Sequence, residues 1–468
     1  MLSVSGRKRL WVLIGSALVI ASVSGCGEIY RPVVTSVPPV QPAPQPQKYA
    51  VVISCANNTD VNALTIDHIC RNSTAPGLAS LIDFSGDSLT ARVNVGNGPR
   101  WLYLSSNGAT AYLSNTNINP GNNTNSGTLN SFLASSSPQN PLESNTVVTT
   151  TLLPSAAPTS FIISNNNLYL TQPGRSSIGV LTGILNGTLA ASLEIPIVDP
   201  AAPTVSQNPV YVVGNYATQR VYAISQGANN SGCPTAGPNG IATGIETVNS
   251  AISSRLPVGA CPIYGVMSSD GRRTFILNQG SGTVTVIDSE QNQIDSNFPN
   301  GIPVGQGPMW ADLYNNGSIL AVVNSLSNTL TLINTSLDSF GHDSPNFGQI
   351  LATVPVGANP SSVSILQDGS RAYVANRGDG TVSVVSLRSN TVTKTIQIPQ
   401  EPCNPTNPTV LCNVHPMSIA ATTGTPLGKV YVVSPDTNIL TIIRTDTDTI
   451  YDNLPLTGNG IQVRVTEP

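Results

Sequence analysis

The chain has 468 residues, of which only 9% are charged, against about 25% in an ordinary soluble domain. Ser, Thr, Asn, Gly and Pro take the place of the charges among many β-branched residues, a composition suited to short strands and tight turns. The formal net charge of −4, with no basic stripe, lacks the electrostatic footprint of nucleic-acid binding.

The N-terminus reads as a targeting segment. Arg7, Lys8 and Arg9 precede an apolar run at 10–23, which is short of the roughly 20 residues that a membrane span needs. "VSGC" (23–26) follows and resembles the lipobox of bacterial lipoproteins. The resemblance implies cleavage before Cys26, acylation of that cysteine and attachment to a membrane, because two or three acyl chains anchor a protein firmly. The alternative is an ordinary secretory signal with a coincidental cysteine. Gly27, where retention at the inner membrane calls for Asp, favours the outer membrane. Loss of residues 1–25 takes the formal net charge from −4 to −7. Residues 26–48 then form a lipidated, Pro-rich tether, extended because prolines favour polyproline II.

From residue 49 onward the chain repeats one phrase. "VNVGNGP" (93–99), "LPVGACP" (256–262), "IPVGQGP" (302–308) and "VPVGANP" (354–360) each end a strand with Gly, two residues and Pro. Each is followed by an apolar strand, a turn, a second strand such as "RAYVAN" (371–376), and a third such as "GTVSVVS" (380–386). Four short strands at a period of about 45–50 residues predict the blades of an all-β propeller spanning 49–468.

The phrase "AYVANRGDGTVSVVSLRSNTVTKTIQIP" (372–399) resembles the YVTN family of extracytoplasmic propeller repeats, related to lactonase-type propellers, with Ala375 where the family name has Thr. Outer strands end near Gly96, Pro154, Pro196, Gly259, Gly305, Gly357, Pro399 and Gly458, which predicts eight blades, with seven as the alternative. The first unit begins "KYAVVISC" (48–55), matching a second strand, and the chain ends "NGIQVRVTEP" (459–468), matching an inner one. The C-terminal strand is therefore expected to complete the first blade and close the ring, hiding two sheet edges.

With Cys26 assigned to lipid, six of the seven cysteines remain, an even number in an exported chain. The repeat frame puts all six on one face and predicts Cys55–Cys70, Cys233–Cys261 and Cys403–Cys412; free thiols or a metal cluster are the alternative, although no CxxC spacing occurs. The same face receives long insertions at 55–77, 117–127, 198–209 and 399–416, which are either functional loops or surface decoration.

Signatures of chemistry are sparse. No G-x-S-x-G elbow, H-E-x-x-H pair or phosphate loop is present. His68 and His415, with Asp60 and Asp67 near the first, are weak candidates for a metal site. Asp83 and Asp288 share a repeat position, which argues for structure, as do the "GDG" and "SDG" turns. Asp312, Arg100 and Arg464 lie on or beside inner strands and are candidates for the channel, but no catalytic set maps onto them. No catalytic residue and no cofactor is assigned. The expectation is a lipid-anchored binding or interaction scaffold at the cell envelope, held by Cys26, with an envelope protein or glycan as partner. The alternative is a lactonase-like hydrolase using the channel.

Overall fold

The computed structural model describes residues 49–55, 76–105, 108–116, 127–134, 147–184, 189–199, 202–216, 218–227, 239–314, 317–404, 407–422 and 428–466. All fall within the larger of two compact units, 47–468. The expected signal peptide, Cys26 and the tether lie outside the described residues.

The described residues form eight radial sheets of the meander type, a β-propeller of eight blades. The inner strands run from Pro99–Leu104 in blade 2 through Phe161–Ser164, Pro209–Val213, Pro262–Met267, Pro308–Leu313 and Pro360–Ile365 to Ser418–Ala421 in blade 8. Blade 1 is built as its sequence predicts: Tyr49–Cys55 pairs on one side with Leu78–Asp83 and on the other with the C-terminal strand Asn459–Val465. The ring is thus closed by pairing residues some four hundred positions apart, as in Val52↔Val463. In blade 5 the outer strand is interrupted, and Gln293–Ile294 and Ile302–Pro303 pair separately with Thr283–Asp288. Two small ribbons lie in connections between blades, Val198–Asp199 with Ala202–Ser206 and Glu401–Asn404 with Asn407–Cys412.

The repeated residues have distinct mechanical roles. Asn376, at the end of the second strand of blade 7, donates from Nδ2 to Thr381 Oγ1 at 3.0 Å and Ser383 Oγ at 2.8 Å, stitching that strand to the third. Asn278 and Asn324 make the same pair of bonds in blades 5 and 6. The punctuating glycine packs against this asparagine. A Cβ on Gly357 would stand 2.6 Å from Asn376 Cγ and 2.7 Å from Asp379 Oδ2, so only glycine fits.

In several blades a tyrosine near the start of the second strand joins the blade to the next. Tyr373 donates its hydroxyl to Asp448, in a turn of blade 8, and Arg371 Nη1 holds the same carboxylate at 2.6 Å. Tyr222 reaches Asn292 Oδ1 at 3.2 Å from blade 4 to blade 5. At the closing seam Lys429 of blade 8 pairs with Asp87 of blade 1, but the buried Tyr431 hydroxyl has no partner among the described residues. Burial between blades raises the phenols of Tyr373 and Tyr431 above their ordinary value, the neighbouring carboxylates adding to the effect.

Candidate functional site: a half-filled channel

Pro has no N–H for the ladder, so the inner strands loosen where they begin. In blades 2, 4, 5 and 6 a bulge follows this proline, between Pro99 and Trp101, Pro209 and Tyr211, Pro262 and Tyr264, and Pro308 and Trp310. Bulges re-aim side chains, and here four aromatic residues two positions after the proline converge on the axis. Trp101 and Trp310 belong to opposite blades, yet their rings are 6.0 Å apart. Tyr211 lies edge-on to Trp101 at 5.4 Å and 4.8 Å from Tyr264, which stacks on Trp310 at 4.2 Å and 21°.

The matching position in the other four blades is small or polar: Ser160 in blade 3, between the blades of Trp101 and Tyr211, and Ser362, Ser418 and Gln462 in the consecutive blades 7, 8 and 1. Several of these polar groups belt the inner strands together. Ser160 Oγ accepts from Val212 N–H at 3.1 Å, Ser418 Oγ from Val463 N–H at 3.2 Å and Gln462 Oε1 from Leu102 N–H at 2.8 Å. Ser364 Oγ accepts from Ala421 N–H at 3.1 Å, two residues further along its strand. Asp312 occupies the equivalent position in blade 6, and its Oδ2 accepts from Ile365 N–H at 2.8 Å.

Because the aromatic side chains fill only part of the channel, a cavity of about 290 Å³ remains against blades 7, 8 and 1. Trp310 and Tyr264 form one side, Ile365, Ala420 and Ala421 another, and Asp312, Thr422 and Arg464 supply polar groups. Arg464, carried by the ring-closing strand, places its guanidinium carbon 5.6 Å from the Trp101 ring centre and 5.4 Å from that of Trp310. It makes no ion pair among the described residues. Burial holds the Tyr211 phenol well above its ordinary value and raises Tyr264, against the opposing pull of Arg464. Tyr103, beside Phe161, is pushed up to about 12 by burial.

Of the channel candidates expected from sequence, Asp312 and Arg464 line this cavity and Arg100 does not. Arg100 is the extra residue of the blade 2 bulge, and burial lowers its guanidinium to about 10. The four aromatics were not singled out by sequence reasoning. Their signal lies in the phrases "GPRW", "NPVY", "CPIY" and "GPMW", against "APTS", "NPSS" and "HPMS" in blades 3, 7 and 8.

His415 bonds to Asp436: its Nδ1 is 2.8 Å from Oδ2, and its backbone N–H donates to the same carboxylate at 3.1 Å. His68, Asp60 and Asp67 lie outside the described residues, within which no group of three potential metal ligands occurs. Asp288 Oδ1 accepts the N–H groups of Glu290 and Gln291, and Asp83 Oδ2 that of Gly86, so both shape turns. Cys55, Cys261 and Cys412 are all engaged in contacts, while Cys70, Cys233 and the Cys403 side chain lie outside the described residues. Cys55 pairs with Asn459 at the start of an inner strand, and Cys261 immediately precedes another. The cavity is lined by the later parts of inner strands, so it lies toward the face opposite those cysteines.

The fold and channel define a protein of the β-propeller class. No protein-family model matches the chain, and no curated protein matches it. Among solved structures it is similar to apo AztD from Citrobacter koseri, at 11% identity and a TM-score of 0.57, covering 90% of this chain and 98% of that one. It is also similar to the dihydro-heme d1 dehydrogenase NirN, at 10% identity and 0.59, covering 89% and 74%. A third is the periplasmic gluconolactonase PpgL from Pseudomonas aeruginosa, at 14% identity and 0.51, covering 90% and 99%. At such identities the likeness shows the fold alone.

Proposed function

We propose that this chain is a YVTN-type propeller, tethered outside the cytoplasm through acylated Cys26, which binds a ligand or partner without transforming it. The observation that carries the reading is the content of the channel cavity. It holds a cation, Arg464, seated on two tryptophans, and one carboxylate, Asp312, an oxygen of which already accepts a backbone N–H. General acid–base chemistry asks for a pair of groups whose environments drive their proton affinities apart within reach of one substrate. The cavity supplies a recognition surface instead. The lipobox-like segment and the Pro-rich stretch support the anchor, and the even cysteine count supports Cys55–Cys70, Cys233–Cys261 and Cys403–Cys412 as disulfides of an exported domain.

A crosslinked pull-down of the full-length protein from its envelope fraction, with Cys26→Ala as control, tests the anchor and the partner together. A stoichiometric envelope protein or glycan, recovered only with the acylated form, is expected. A Cys26→Ala protein that stays in the membrane fraction refutes the anchor. The similarity to a protein described as a gluconolactonase makes lactones the substrates to assay. Turnover of a sugar lactone that Asp312→Asn abolishes would replace binding with hydrolysis. Peptide mapping without reduction checks the three disulfides.

A further inference from the structure

We infer that the half-filled channel is a binding site for small organic monocarboxylates with a compact apolar body, an inference that rests on the binding function proposed above. Three features of the cavity lead to that class.

The first is the guanidinium of Arg464. It is half-buried, it rests on Trp101 and Trp310, and no carboxylate among the described residues pairs with it. A charge partly withdrawn from water is costly until an opposite charge meets it. Two rings offset part of that cost through cation–π contact. A carboxylate completes the environment because its two oxygens match the planar fork of the guanidinium.

The second feature is Asp312, which lines the same cavity. Its negative charge opposes a dianion such as a phosphate monoester more strongly than a monoanion. It also favours a ligand that carries a hydrogen-bond donor, such as a hydroxyl, at a distance from its acid group.

The third is size and wall chemistry. About 290 Å³ is at the lower end of small-molecule sites, roughly 300–1,000 Å³. Ile365, Leu366, Ala420 and Ala421 form an apolar wall, so a hydrated, polyhydroxylated body would leave polar groups unpaired there.

Arg464 sits on the strand whose pairing with Tyr49–Cys55 closes the ring. Ligand binding is therefore linked to closure and raises the unfolding temperature by mass action. The site also carries its own reporter. The chain has three tryptophans; Trp11 lies in the predicted signal peptide, which leaves Trp101 and Trp310, the two rings under Arg464.

The test uses the mature chain, titrated with 4-hydroxybenzoate, 4-hydroxybenzamide and phenyl phosphate, read by tryptophan fluorescence and calorimetry. The benzoate is expected to bind and to raise the unfolding temperature, with the amide and the phosphate at least tenfold weaker. Arg464→Met should cost at least tenfold in affinity, and Arg464→Lys less. Should Arg464→Met fail to fold, Ala421→Leu, which fills the cavity from the wall, decides: tenfold weaker binding supports the site and unchanged binding overturns it. The inference is also overturned if no benzoate binds, if the amide binds equally well, or if folded Arg464→Met binds like the parent. Lactone turnover with intact benzoate binding would instead overturn the binding-only function and leave this site standing. An envelope partner without benzoate binding would do the reverse.

Discussion

Tyr373 and Tyr431 occupy the same repeat position in consecutive blades, yet removing their hydroxyls is expected to have opposite effects. Tyr373 donates to Asp448, which Arg371 also holds. A hydrogen bond to a charged group contributes about 1.5–3 kcal/mol. In Tyr373→Phe the carboxylate keeps Arg371, so no charge is orphaned and the loss falls at the lower end, about 1.5 kcal/mol. Tyr431 is fully buried, and its hydroxyl has no partner among the described residues. An unsatisfied buried hydroxyl costs about 1–3 kcal/mol, so Tyr431→Phe should be neutral or stabilising by up to about 1 kcal/mol. Tyr222, bonded to the neutral amide of Asn292, belongs between them, with a loss near 1 kcal/mol. Guanidinium unfolding of the mature chain, followed by the fluorescence of Trp101 and Trp310, measures all three on one scale. Equal losses for Tyr373→Phe and Tyr431→Phe would refute the reasoning, because the closing seam would then be hydrogen-bonded like the others.

Gly357→Ala should destabilise by about 1–3 kcal/mol, as overpacking does, because the new Cβ meets Asn376 and Asp379 at under 3 Å. Its cost should shrink in an Asn376→Ala background, which a double-mutant cycle reads directly. Deleting residues 459–468 removes the inner strand of blade 1 and exposes the edge of Tyr49–Cys55, so the truncated chain should aggregate in size-exclusion chromatography. The buried tyrosines predict alkaline sensitivity. Tyr103 titrates near 12 in the folded chain and near 10 when unfolded, so above about pH 10 the unfolded state binds fewer protons and is favoured. Stability should be level below pH 10 and fall between about pH 10 and 12, and Tyr103→Phe should flatten part of that fall.

Much of this fold is legible because the repeat writes local mechanics into every unit. The Gly-x-x-Pro phrase marks a close approach of Gly357 to Asn376 and a strand start that cannot donate, and both are properties of residue type. The missing inner strand at residue 49 and the surplus one at 459–465 pointed to closure for a similar reason: a blade that lacks a strand leaves an edge, and one strand was left over. The site was legible only in part. Arg464 and Asp312 stand out because charge is scarce in this chain, so each charged residue near an inner strand attracts notice. Trp101, Tyr211, Tyr264 and Trp310 do not, because an aromatic residue in a strand between apolar neighbours reads as core in a single unit.

Their role arises only when the units are placed around a circle. Trp101 and Trp310 are separated by more than two hundred residues, and neither strand alone indicates that blades 2 and 6 face each other across the axis. The number of blades sets which residues are opposed, so site geometry depends on a global count that no local pattern contains. Once eight is known, the position two after each proline acquires a direction, with bulky rings in blades 2, 4, 5 and 6 and serines or glutamine in the consecutive blades 7, 8 and 1 as well as in blade 3. The repeat frame demands a strand at each position and leaves the residue there free to vary without loss of the sheet. Departures from periodicity at that single position therefore build the cavity, and the same reading applied to any closed repeat would locate its channel from the sequence and the blade count together.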